Sequence, residues 1–255
     1  MAQGPEDGWQ ATPIVAALVL AVVFLIAFAL IESRSRDPLM PVRLFGNRSL
    51  VAGMAITFIY MGTFGALPYF LTVLFQSVQD YSTLQTGPAF IVPSLAIFAG
   101  TQLGARLANR LPMRRTLVIG FVVSIVGTLA LAPAAFLGAP YTAIVPGLVV
   151  SGIGQGIVWT AMWSAAASGV AHHGQGIASG MASTTLSVGN AIGIAVLVAF
   201  ANRGIGGLQG EALREGLATG LQHAFYLAAA GLLLGLLVSL TFSSKASANV
   251  QAGAA

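Results

Sequence analysis

Four residues of one apolar segment share a spacing that predicts a binding surface. The residues at positions i, i+4, i+7 and i+8 of this segment are Gln155, Trp159, Met162 and Trp163. This spacing places them on one face of a helix. A face that is aromatic and apolar, with a single hydrogen-bonding amide, suits an amphiphilic or cationic organic ligand.

Uncharged polar and aromatic residues in other apolar segments are further candidates for lining such a cavity. These residues are Tyr60, Phe64, Tyr69, Gln76 and Asn190. Two alternatives stay open at this point. The side chains can serve only to pack helices together, or the tryptophans can form an aromatic belt at the membrane interface.

Groups that carry enzyme chemistry are scarce in this chain. It has no Cys, and the adjacent His172 and His173 have no acidic residue or Cys near them in sequence. It also contains no His-Glu-x-x-His and no Gly-x-Ser-Gly pattern, and no pair of Asp within an apolar segment. We therefore expect no enzyme activity, no metal site and no cofactor.

The composition predicts an integral membrane protein. Of the 255 residues, 56% are hydrophobic and only 7% are charged, and the mean hydropathy is +0.87. Soluble domains carry about 25% charged residues, so a soluble enzyme is nearly excluded, and the chain is too apolar to be disordered. The alternation typical of barrel strands is absent, so the expected fold class is all-α, a polytopic membrane bundle.

Uncharged stretches predict where the chain crosses the bilayer, because a spanning helix needs about 20 mostly apolar residues. Residues 116–202 carry no charged side chain, and a single helix of that length would exceed the bilayer several times. Turn residues around 133–140 and 172–176 divide this stretch into three spans. The seven predicted spans cover residues 13–31, 50–75, 86–105, 117–136, 142–165, 178–201 and 222–242.

The distribution of basic residues predicts the orientation in the membrane. With alternating spans, one side receives only Arg203 and Arg214, which makes it the outer side. We therefore expect a multi-pass protein of the cell membrane with its N-terminus outside and its C-terminus in the cytoplasm. The same topology explains a pI of about 10.0 without nucleic-acid binding. The nine basic residues on the predicted cytoplasmic side are Arg34, Arg36, Arg43, Arg48, Arg106, Arg110, Arg114, Arg115 and Lys245.

Pairs of glycines four residues apart predict close contacts between helices, because the missing side chain lets two backbones approach. The residues assigned to such packing are Gly100, Gly104, Gly152, Gly156, Gly189 and Gly193. In transporters, such contacts also let helices slide or rock.

The predicted cytoplasmic loop at 104–115 resembles the signature loop of the major facilitator superfamily, Gly-x-Leu-x-Asp-Arg-x-Gly-Arg-Arg. The residues assigned to a cytoplasmic gate on this basis are Asn109, Arg110, Arg114 and Arg115. In the family the Asp caps a helix and pairs with Arg, whereas Asn109 can accept a capping hydrogen bond but carries no charge. The alternative is that the arginines only anchor the topology.

Three further stretches are similar to the 14-span drug:proton antiporters of that superfamily. Residues 32–45 resemble the linker before the second six-helix half. Residues 67–93, with Gln76, Gly87 and Pro93, resemble a Pro-x-x-x-Gln…Gly-x-Ser-x-Leu-x-x-Gly…Pro segment. Residues 176–195 resemble the entry to the penultimate helix. The resemblance covers residues 9–242.

This resemblance implies one extra helix followed by the second half of a transporter. The implied organisation is an external tail and extra helix (1–31), a cytoplasmic linker (32–48), a six-helix C-terminal half (49–242) and a cytoplasmic tail (243–255). Spans 1–6 contain no Asp, Glu, Lys, Arg or His, and His223 lies at the edge of span 7, so proton coupling by this chain alone is not expected.

The function expected from these features is export of amphiphilic or cationic small molecules by a proton antiport-type mechanism. The expected partners are the lipid bilayer, the small-molecule substrate and an N-terminal transporter half, on the same or a separate chain. Two alternatives remain. One is a half-size transporter that acts as a homodimer, and the other is a seven-span binding or assembly protein that transports nothing.

Overall fold

The computed structural model describes residues 12–34, 46, 48–167 and 175–241, and these residues fall into two units. The first unit, Met1–Gly46, contains the helix α1, Thr12–Arg34. At about 1.5 Å per residue, its 23 residues are long enough to cross a bilayer. The second unit, Asn47–Ala255, contains all the other helices of the described residues.

The second unit is a bundle in which six helical segments are long and apolar enough to cross a membrane. Its α-helices are α2 (Arg48–Phe64), α3 (Leu67–Thr72), α4 (Thr83–Ala89), α5 (Ile91–Arg110), α6 (Met113–Ala134), α7 (Tyr141–Ala167), α8 (Gln175–Ala201) and α9 (Gly210–Leu240). The predicted all-α fold is confirmed, since each of the seven predicted spans is helical and the described residues contain no strand.

The second predicted span is not one uniform helix. Helix α2 ends at Phe64, α3 begins at Leu67, and residues Val73–Val78 form a π-helix. Pro68 occupies the first turn of α3. Because proline lacks a backbone N–H and restricts the residue before it, it is tolerated at a helix start but interrupts a continuous helix. The hydropathy of the sequence does not reveal this break, because the residues on both sides of it are apolar.

The predicted start of the seventh span was wrong as a helix boundary, because α9 begins at Gly210 instead of residue 222. The charges of Glu211, Arg214 and Glu215 end the apolar run without ending the helix. The residues added at the start of α9, and Gln222 directly after them, contact other parts of the unit. Arg214 pairs with Asp80 at 2.7 Å, and Gln222 Nε2 donates to the carbonyl of Ala135 at 3.1 Å.

The third span also begins earlier than predicted, with the short helix α4 in front of α5. Ser82 and Gln85 form a capping box at its start, in which each side chain accepts a hydrogen bond from the backbone N–H of the other. This start signal lies outside the apolar run from which the predicted boundary was drawn.

Helix α7 lies at the centre of the unit and packs along α5 on one side and α6 on the other. Helix α2 packs against α8, α7 and α9. The buried side chains form two clusters, one containing Phe70, Phe75 and Phe225 and the other containing Phe121 and Met162. Because lipid tails are as apolar as these side chains, close packing holds such helices together.

Several sequence predictions concern residues outside the described ranges. These are the N-terminal tail, the linker residues 35–45 and 47, the His172–His173 loop, and the tail after residue 241.

Candidate functional site

The structure brings five of the predicted binding residues together where α2 meets α7. The ring of Tyr60 lies 5.3 Å from Phe64 and 5.7 Å from Trp159, measured between centroids. Trp159 in turn lies 5.9 Å from Trp163 in an edge-to-face arrangement. Gln155, one turn before Trp159 on α7, lies beside the Tyr60 hydroxyl. We call these five residues the aromatic cluster.

The aromatic cluster is tightly packed on its α2 side. Tyr60 and Phe64 are each only 3% exposed, whereas Gln155, Trp159 and Trp163 are half-buried. The Gln155 Oε1 atom is buried without a hydrogen-bond partner. Aromatic faces can attract an organic cation, and an amide oxygen can accept a hydrogen bond. The arrangement therefore has the groups to recognise an amphiphilic cation at the half-buried side.

Met162 does not share the exposure of its predicted neighbours on α7. It is fully buried, in the cluster that contains Phe121 and Val158. The spacing i+7 places Met162 on the same side of α7 as Gln155, but the sequence does not reveal how far that side turns into the bundle.

Three further predicted residues lie apart from the aromatic cluster. Tyr69 is on α3, 46% exposed, with its ring against Phe70. Gln76 lies in the π-helix, where its Nε2 donates to Thr86 Oγ1 at 3.3 Å. Asn190 is on α8, and its Oδ1 is buried beside Gly65 without a hydrogen-bond partner.

The predicted gate loop is a short connection between α5 and α6. Asn109 and Arg110 belong to the last turn of α5, and Arg114 and Arg115 to the first turn of α6. All four side chains are exposed. The residue at the N-cap of α6 is Pro112, and no side chain caps this helix. The capping role considered for Asn109 is therefore wrong for α6, because Asn109 still lies within the preceding helix.

The six glycines assigned to helix packing lie at two helix contacts. At the α5–α7 contact, a Cβ at Gly100 would meet the Ile153 backbone, and one at Gly156 would meet the backbones of Ile97 and Thr101. A Cβ at Gly104 or Gly152 would lie 2.9 Å or 2.8 Å from the nearest atom of the facing helix. At the α2–α8 contact, Gly189 and Gly193 approach the Phe58 and Gly62 backbones.

The bundle has a cleft at its predicted outer end that the sequence did not predict. Its volume is about 580 Å³, and its lining includes Gln79, Glu211 and Arg214. Beside the cleft, Gln79 links the end of the π-helix to the connection between α6 and α7. Its Nε2 donates to the Phe136 carbonyl at 2.7 Å, and its Oε1 accepts from the Gly138 N–H at 3.1 Å. These groups come from three distant stretches of sequence, so no local pattern could predict the cleft.

Within the described residues, no group of three or more His, Cys, Asp and Glu side chains is placed to hold a metal ion. The groups that the described site does offer for recognition are packed apolar side chains, aromatic faces and an amide.

The helical bundle, with its short basic connection and glycine-lined contacts, agrees with a family comparison. The family model described as Major Facilitator Superfamily matches residues 5–194. The chain belongs to the Major Facilitator Superfamily. It is thus a multi-pass membrane protein of a transporter family.

Curated relatives of this superfamily member are named for drug resistance. The "Puromycin resistance protein pur8" of Streptomyces alboniger is 37% identical over 164 residues, which cover 59% of this chain and 31% of that protein. The "Methylenomycin A resistance protein" of Bacillus subtilis (strain 168) is 30% identical over 131 residues, covering 51% of this chain and 28% of that protein.

A third relative is the "Multidrug resistance protein 3" of Bacillus subtilis (strain 168). It is 26% identical over 130 residues, covering 50% of this chain and 25% of that protein. The chain therefore matches less than a third of the length of each of these three relatives.

Proposed function

We propose that this chain is the C-terminal half of a multidrug-type secondary transporter of the 14-span kind. In this proposal α1 is one of the extra helices, and the six-helix unit is the second half. The proposed substrates are amphiphilic or cationic small molecules, exported across the cell membrane in exchange for protons. The names of the three relatives motivate the choice of substrate class.

The observation that carries the proposal is the aromatic cluster between α2 and α7. Four rings lie within 6 Å of a neighbouring ring, and the Gln155 amide lies beside the hydroxyl of one of them, Tyr60. Such a surface can bind a flat or cationic molecule without a fixed pattern of hydrogen bonds, because aromatic faces attract cations of many shapes. That tolerance is what an exporter of several drugs requires.

In this proposal, ionisable residues of a partner half couple substrate export to proton movement. A proton relay needs an ionisable group at depth in the membrane. In the described spanning helices of the six-helix unit, charged side chains occur only towards helix ends, as with Arg106 and Arg214. His223, the described histidine of α9, lies next to Gln222, which bonds the carbonyl of Ala135 just after the end of α6. It is thus near one end of the spanning region.

Ligand binding to the purified full chain tests the proposal. In a Trp9→Phe background, tryptophan fluorescence reports on Trp159 and Trp163. We expect puromycin or a lipophilic quaternary ammonium dye to quench this fluorescence saturably. Gln155→Leu should weaken the binding, whereas Leu129→Ala on α6, whose side chain is exposed and away from the cluster, should not. Lack of saturable quenching by either ligand would contradict the proposal.

An efflux assay separates the proposal from its alternatives. The host is a bacterial strain without its own drug exporters. We expect dye efflux when the chain is co-expressed with the N-terminal half of a matched relative, and none when it is expressed alone. Efflux by the chain alone would favour the homodimer, and a monodisperse monomer that binds neither ligand would favour a protein that does not transport.

A further inference from the structure

Among the described residues, three buried side-chain oxygen atoms have no hydrogen-bond partner. They are Thr116 Oγ1, Gln155 Oε1 and Asn190 Oδ1. Buried polar atoms of folded proteins are nearly always paired, so such an atom calls for an explanation. In a bilayer the requirement is stricter, because hydrocarbon supplies no water as a substitute partner.

Other buried polar side chains of the bundle bond to their own helix. Thr57 Oγ1 donates to the Gly53 carbonyl at 2.9 Å, and Ser124 Oγ donates to the Gly120 carbonyl at 2.7 Å. The Gln155 oxygen cannot do this, because an amide oxygen only accepts and the N–H groups inside a helix are already bonded along it. Its partner must therefore be a donor from outside α7.

Gln155 differs from the other two residues in its location. Thr116 belongs to α6, and Asn190 belongs to α8, where it packs against Gly65. Gln155 is the member of this group that belongs to the aromatic cluster, where it lies beside the Tyr60 hydroxyl. Its unpaired acceptor thus lies next to the rings that are proposed to hold a substrate.

The rest of the cluster sets the shape of a matching ligand. Trp159 and Trp163 follow Gln155 by one and two turns, or about 6 and 12 Å along α7. Both indoles are half-buried, so this side of the cluster can be reached by a ligand. An apolar body that lies against the two indoles would place a group at its end close to Gln155.

The two kinds of group at this site distinguish between two kinds of organic cation. The ring faces attract any cation, whether or not it carries an N–H. The Gln155 oxygen can bond only to a cation that has an N–H, and a hydrogen bond from a charged donor is about twice as strong as one between neutral groups.

We propose that Gln155 makes the aromatic cluster selective for amphiphilic amines whose protonated nitrogen keeps an N–H, over their quaternary ammonium analogues. The selectivity names the substrate class of the proposed binding site and so rests on the proposed function. An N–H donor supplies the partner that the buried oxygen lacks in the structure. A quaternary nitrogen surrounds its charge with carbon and leaves the oxygen unpaired, which costs affinity.

A matched pair of ligands tests the selectivity. The pair is anthracenylmethylamine and its N,N,N-trimethyl analogue, which both carry a positive charge at neutral pH. The anthracene ring quenches tryptophan fluorescence by energy transfer. Each ligand is titrated into the purified full chain in the Trp9→Phe background, where Trp159 and Trp163 report binding.

We expect the primary amine to bind about tenfold more tightly than its trimethyl analogue, a modest ratio because the cluster is only half-buried on this side. Gln155→Leu should reduce the ratio to about twofold or less, mainly through weaker binding of the amine. Asn190→Ala removes the other unpaired amide oxygen and should keep the full preference, because Asn190 lies apart from the cluster.

The outcomes separate this selectivity from the proposed function. Equal affinities of the chain with Gln155 for the two ligands would overturn the selectivity and leave the proposed drug binding intact. A preference for the amine that persists in Gln155→Leu would overturn the assignment to Gln155. If neither ligand quenches the fluorescence saturably, the selectivity and the proposed binding function both fail.

Discussion

Asn190 on α8 lies directly against Gly65, at the turn between α2 and α3. A Cβ added to Gly65 would overlap the Asn190 Oδ1 atom and also crowd the Met61 carbonyl at 2.5 Å. The break in the second span is thus a place where a polar side chain of one helix enters the space left by a glycine of another.

Gly65→Ala should destabilise the protein by about 1–3 kcal/mol, the usual cost of overpacking a tight contact. The thermal unfolding midpoint of the purified protein in detergent measures the effect. Adding Asn190→Ala should restore part of the loss, because it removes one of the two overlaps. Gly87→Ala is the matched control, since a Cβ there has nothing within 4 Å. Equal midpoints for Gly65→Ala and Gly87→Ala would refute the contact.

Gly156→Ala should lower stability by a similar amount, about 1–3 kcal/mol, because α5 and α7 would have to separate. A Cβ at this position would meet the Ile97 carbonyl and the Thr101 N–H. Gly180→Ala on α8 meets open space and should leave the unfolding midpoint nearly unchanged. If both variants shift the midpoint equally, helix propensity and not packing controls the response.

Asp80 and Arg214 should form an ion pair of modest strength. Their side chains are 80% and 35% exposed, and exposed pairs contribute about 0.2–1 kcal/mol. Asp80→Asn removes the charge and should cost no more than this, with a smaller effect at high salt. Asp80→Ala should cost about 1 kcal/mol more, because Asp80 has φ +63° and Asn tolerates this left-handed conformation better than Ala.

A double-mutant cycle with Arg214→Gln, read by thermal unfolding, isolates the ion pair from the backbone effect. The coupling should be the same whether Asp80 is replaced by Asn or by Ala. The Asp80→Gly variant should lack the backbone penalty. A coupling energy of zero at low salt would show that the pair contributes nothing to stability.

Tyr60 and Gln155 should be coupled in stability. The buried Tyr60 hydroxyl lies beside the Gln155 amide, so a change at either residue removes the polar neighbour of the other. Tyr60→Phe and Gln155→Leu should each lose about 1–3 kcal/mol, the cost of leaving a buried polar group without a partner. The double variant should lose less than the sum of the two, and strict additivity would argue against an interaction between the two side chains.

The sequence predicted the number and approximate positions of the spans because charge and hydropathy decide which residues enter a bilayer. The glycine spacing at 152 and 156 predicted a close helix contact, but the facing helix is identified only by the structure. The Asn190–Gly65 contact depends on the rotation of two helices about their axes. The pairing of Asp80 with Arg214 depends on the length of α9 beyond its apolar run.

The candidate site was predictable in part for the same reason. The face of α7 that carries Gln155 and Trp159 follows from helical periodicity. For Tyr60 the sequence offered only the residue type as evidence. The full burial of Met162 follows from how the neighbouring helices cover that side of α7. That is a property of the assembled bundle, so no spacing within one helix reveals it.

The π-helical turn at Val73–Val78 makes its segment tolerant of losing one residue at this place. The Gln79 N–H donates to the Leu74 carbonyl, five residues earlier, so this turn holds one residue more than an α-helical turn would. Removing one residue within Val73–Val78 would let the turn relax to the α form and leave Gln79 and Asp80 facing nearly the same direction, because the extra residue is held within a single widened turn. The same deletion in the α-helical Leu67–Thr72 would instead rotate everything after it by roughly 100° about the axis.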